Sequence, residues 1–65
     1  MRFEDISDDE VKAYNAYSNE KSALPVGIIR EHPVTKKLVF QTVFDWLLPT
    51  TEEMVEIARF MVDHV

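Results

Sequence analysis

The chain has no cysteine in 65 residues. That absence constrains it more than any motif. Domains of this size bury only about 60% of the surface they expose when unfolded, and a single core rarely supplies more than roughly 3–5 kcal/mol of net stability. Small chains offset this with disulfides, a structural metal, a partner chain or unusually dense packing. Disulfides and thiolate metal sites are excluded here. His32 and His64, the two histidines, stand far apart and give no basis for a metal centre. The expectation is therefore one small domain over residues 1–65 that leans on packing and self-association. With 46% apolar residues it has enough material for a globular fold.

Residues 6–21, ISDDEVKAYNAYSNEK, carry helix-start grammar. Ser7 and Glu10 have the spacing of a capping box, and Ile6 and Val11 that of a hydrophobic staple. Asp8 and Asp9 would face the positive end of the helix dipole. The pattern predicts a helix over about residues 8–21, with Val11, Tyr14 and Tyr17 inward and Pro25 beyond its end. The segments VGIIRE and KKLVFQTVF are rich in β-branched and aromatic residues and flank HPVTK, where Pro33 suits the second position of a type I turn. They predict a hairpin with strands at about 26–31 and 37–44. Leu38, Phe40, Thr42 and Phe44 share one face of the second strand, so both faces of the ribbon are partly apolar. A helix over 38–48 also fits the spacing of Phe40, Phe44 and Leu47, but the side-chain types favour a strand.

The last segment, PTTEEMVEIARFMVDHV, predicts a helix opened by a capping box between Thr50 and Glu53. At about 100° per residue, Met54, Ile57, Ala58, Met61, Val62 and Val65 form an apolar stripe. Glu52, Glu56, Arg59 and Asp63 gather opposite, with Glu56–Arg59 and Arg59–Asp63 spaced for ion pairs. Phe60 falls on the flank, near Glu53 and His64. The expected fold class is α+β, helix–hairpin–helix. Two strands cover little, so a two-fold dimer sharing a four-stranded antiparallel sheet is the expected assembly.

The charge is polarised. The net charge is −5 overall. Residues 1–25 sum to −3, with Arg2, Lys12 and Lys21 against six acids. Residues 26–44 sum to +2, with Arg30, Lys36 and Lys37 against Glu31. Residues 45–65 sum to −4, with Arg59 against five acids. The basic hairpin tip has two readings. It keeps an exposed turn soluble and guards a sheet edge, or it docks on an acidic partner. Nucleic acid is the minor form of the second reading: roughly three phosphate contacts give a salt slope of only about −2.7, against the repulsion of the acidic segments.

No nucleophile motif or phosphate-binding glycine loop is present, and Gly27 is the sole glycine. An enzyme, a cofactor and a metal are not expected. The opening MRFEDISDDE lacks the apolar run of a secretory leader, and no segment approaches a membrane span. With no cysteine the cytoplasm is the expected compartment, although a cysteine-free chain is also compatible with export. VFDWLLPT joins strand to helix and is strongly apolar. Phe44, Trp46, Leu47 and Phe60, together with Arg30, Lys36 and Lys37, are the candidate partner-binding residues. The functional expectation is a small acidic regulator, inhibitor or adaptor that binds protein as a homodimer.

Overall fold

The structure, a computed structural model, describes residues 1–64. Four strands run in chain order and a single helix follows: β1 (Arg2–Asp5), β2 (Ala13–Tyr17), β3 (Gly27–Glu31), β4 (Leu38–Gln41) and α1 (Thr51–Asp63). The strands form one antiparallel sheet in the order β1-β2-β3-β4. Strands and helix are segregated, as in α+β architecture. The expected helix–hairpin–helix arrangement is wrong in its first half, where two strands replace the first helix. The four-stranded sheet expected from two copies is completed within one chain.

The reason lies in how Ser7 and Asp8 spend their hydrogen bonds. Ser7 Oγ accepts from the Ala13 N–H at 2.9 Å and donates to the Ala13 carbonyl at 3.2 Å, so it clips the two strands together. Asp8 Oδ1 accepts from the Glu10 and Val11 N–H groups, each at 2.8 Å. Ser and Asp that cap helices also close turns of this kind, and here the turn wins. The AYNAY strand then alternates, with Tyr14 and Ala16 toward the helix and Asn15 and Tyr17 away from it.

The β3–β4 hairpin is present; its first strand begins one residue later than expected, and its second runs over 38–41 rather than 37–44. Its loop is closed by His32 N–H to Lys37 O at 2.8 Å and Lys36 N–H to His32 O at 2.9 Å. His32 Nδ1 accepts from the Val34 and Thr35 N–H groups at 3.1 and 3.2 Å. Lys36 has a φ of 63°, the left-handed residue that completes such loops.

The helix begins as the sequence predicts. Thr50 Oγ1 accepts from the Glu53 N–H at 3.1 Å, and Glu53 Oε1 accepts from the Thr50 N–H at 2.8 Å. Its rotation differs from the expected stripe. Ile57 is the buried helix residue, with Phe60 and Met61 half-buried beside it, while Met54, Ala58 and Val62 are exposed. Val65 lies outside the described residues. Phe60 turns the helix: its ring stacks on Phe3 of β1 at 4.1 Å and meets Tyr14 edge-on at 4.9 Å. An aromatic ring buries more area than Val62 or Ala58 can, so it takes the sheet-facing side. Ala16, Val26, Ile29 and Ile57 form the fully buried core, ringed by Phe3, Tyr14, Leu38, Phe40, Leu47, Phe60 and Met61.

The other face of the sheet carries no helix. Arg2 lies over the Tyr17 ring at 4.1 Å, and the Tyr17 hydroxyl donates to Glu4 Oε1 at 3.3 Å. This cover leaves Tyr17 only 8% exposed. A cation–π contact and a carboxylate thus replace the second layer expected on that side.

Candidate interaction surface

The strand order settles which candidate residues can act together. The basic loop at 32–37 precedes β4 and the apolar segment at 42–50 follows it. Four strand residues rise roughly 13 Å, so Lys36 and Lys37 lie at one end of β4 and Trp46 at the other. Arg30 projects from the face opposite the helix, in one row with Ala13 and Val39. It lines a groove with Val11, His32 and Pro33 that shares no residue with the Trp46 region.

At the aromatic end, the backbone turns back on itself through a bridge between Phe44 and Leu47. The turn folds Leu47 onto the core and leaves Phe44 half-buried. Trp46 points outward and is 67% exposed, its ring 5.3 Å from that of Phe44. It lines a shallow depression with Ser18, Ser22, Ala23, Leu24 and Leu47. Leu24 and Leu48 are exposed as well. Sequence reasoning missed Leu24 because it lay at the supposed end of a first helix. The available signal was a leucine between Ala23 and Pro25, in a stretch too short and proline-bound to bury it. Phe60 does not join this surface; it belongs to the packing between helix and sheet.

Among the described residues no cluster of three His, Asp or Glu side chains could hold a metal ion, and no helix is long and apolar enough to cross a membrane. The titration shifts belong to turns and caps. Asp5 is held below the usual carboxylate range by hydrogen bonding to Ser7, whose N–H donates to Asp5 Oδ1 at 2.8 Å. Asp8 is lowered by the Val11 N–H and then the Glu10 N–H. Glu53 is lowered first by the Thr50 N–H and then by the Ser18 hydroxyl.

These three shifts share one sign. A carboxyl with a folded pKa below its unfolded value stabilises the fold above the unfolded pKa and loses that contribution as pH falls through the folded value. The contribution of these three carboxyls is therefore expected to be fully present above about pH 5 and to fall away from about pH 4 downward, given unfolded carboxylate values near 4. Replacing Glu53 by Gln should flatten the acid limb in thermal melts followed by circular dichroism. An unchanged acid limb in Glu53→Gln would mean that Asp5, Asp8 or other carboxylates carry the whole effect.

Comparison with known protein families, with curated proteins and with solved structures finds no match to this chain.

Proposed function

We propose that the chain is a non-enzymatic protein-interaction module, a small acidic regulator, inhibitor or adaptor that acts as a homodimer in the cytoplasm. Its partner seats on the surface around Trp46. The supporting observation is the exposure of Trp46, the only tryptophan, beside Leu24 at the edge of a depression. Tryptophan is among the residues that most often anchor protein interfaces, and its indole N–H gives the apolar ring a polar handle. Asp45 adjoins Trp46, and residues 45–65 carry a net charge of −4. A partner that offers an apolar recess rimmed by Lys or Arg fits this surface.

The test compares the wild-type chain with Trp46→Ala as bait in extracts of the source cell. The wild type should capture a specific protein that Trp46→Ala does not, and purified complex should shift the tryptophan emission to shorter wavelength. The variant should melt with the wild type, because an exposed side chain contributes little to the core. Capture that survives in Trp46→Ala, or an emission spectrum that the partner leaves unchanged, removes the patch from the reading.

A further inference from the structure

The helix presents a second apolar seam, directly opposite its packed face. Thr51, Val55, Ala58 and Val62 are all exposed, and they follow one another at intervals of four, three and four. That is the spacing of a coiled-coil seam, with the β-branched Val55 and Val62 in one class of position and Thr51 and the small Ala58 in the other. Val62 is 71% exposed and Val55 49%. Glu53, Ile57 and Phe60, on the far side of the helix, hold it against the sheet. The seam is therefore fixed in orientation by contacts that do not use it.

We infer that this seam pairs with the same seam of a second copy, the two helices running antiparallel. The choice of occupant rests on charge. Glu52 and Arg59 flank the seam on one edge, and Met54 and Met61 on the other, each pair seven residues apart. In an antiparallel pair like edges meet, so Glu52 of one protomer faces Arg59 of its partner, twice by symmetry. On the opposite edge the exposed Met54 of one protomer lies beside Met61 of its partner, which is already half-buried against its own core, so this edge adds only a flexible thioether contact at the rim. In a parallel pair the charged edge would face the methionines. The two-fold axis then passes between Val55 and Ala58, and each Val55 enters the space that the partner's Ala58 leaves open.

Arg59 strengthens the assignment. It is the only Lys or Arg in the helix. Its expected ion pairs with Glu56 and Asp63 are not formed: among the described residues the one ion pair joins the Met1 amino group to Glu56 at 3.7 Å. Arg59 instead lines a shallow depression together with Val55, Ala58, Val62 and Asp63. A seam of about three turns, roughly 17 Å long, is short, so the dimer sits at the weak end of specific interfaces.

This inference rests on the proposed homodimer and supplies its geometry. Sedimentation equilibrium of the full chain, from low micromolar to millimolar concentration, should show a monomer–dimer equilibrium. Val55→Glu should weaken it at least about tenfold, the scale of losing one central interface residue, with the circular dichroism spectrum unchanged. Glu52→Arg and Arg59→Glu should each weaken self-association, and mixing the two variants should restore dimers, because the mixed pair regains both opposite-charge contacts. Recovery on mixing cannot come from a misfolded chain. A dimer indifferent to Val55→Glu, or variants that fail to recover on mixing, overturns this geometry and leaves the homodimer standing on another surface. A wild-type chain that stays monomeric throughout overturns the homodimer itself, and the Trp46 surface is then tested separately by its own partner.

Discussion

Phe60→Ala is expected to remove a large part of the chain's stability. The Phe60 ring is stacked between Phe3 at 4.1 Å and His64 at 3.9 Å, with Tyr14 edge-on at 4.9 Å. It therefore ties α1 to β1 and β2 at once. Truncating a fully buried phenylalanine costs about 3–5 kcal/mol. Phe60 is half-buried, so its loss falls toward the lower end of that range, still a large part of the roughly 3–5 kcal/mol that a core of this size supplies. The strand register fixes the backbones beneath the ring, Phe3 opposite Ala16 and Tyr14 opposite Ile29. Followed by far-UV circular dichroism, helix and sheet should be lost together at a much lower denaturant concentration than in the wild type. Trp46→Ala is the control, as its ring is exposed and lies outside the buried core. If Phe60→Ala melts within a few degrees of the wild type, the aromatic stack is not what holds the helix on the sheet.

The contrast between these two aromatics shows what was legible in the sequence. The C-terminal helix was readable because Thr50 and Glu53 act within one turn of each other. The second hairpin was readable because Pro33 and its neighbours close a local loop. The first half was not, because its decisive contacts are less local. Ser7 satisfies Ala13, six residues away, and Phe3 is the only large apolar side chain in β1. Tyr14 and Tyr17 fit a helical face and an alternating strand equally well, and pairing with β3 decides between them. The apolar arc of α1 is wide enough to admit more than one rotation, so spacing alone could not place Phe60 inside. The apolar joint at Phe44, Trp46 and Leu47 was legible as a cluster, but its division into a core-facing Leu47 and an outward Trp46 depends on the turn between Phe44 and Leu47.

Gly27→Ala is expected to give the second large loss, through a mechanism unrelated to backbone freedom. Gly27 has an ordinary negative φ, so alanine would meet no conformational strain. A β-carbon there would overlap the Phe40 ring and lie 2.8 Å from the Gln41 carbonyl. Gly27 stands beside Ala16 on the helix-facing side, and Phe40 of β4 leans across it. The missing side chain is thus the space that an aromatic ring from the neighbouring strand occupies. Overfilling a packed site costs about 1–3 kcal/mol, which outweighs the roughly 0.4–1 kcal/mol that alanine gains by restricting the unfolded chain. The mechanism requires that the loss depend on Phe40. In a Phe40→Leu background the smaller side chain can withdraw, and Gly27→Ala should then be nearly neutral. The double-mutant cycle measured by urea titration should show coupling within the range of about 0.5–3 kcal/mol found for residues in contact. Additive losses would instead place the conflict at the Gln41 carbonyl, and Phe40 would be a bystander to the close approach of β3 and β4.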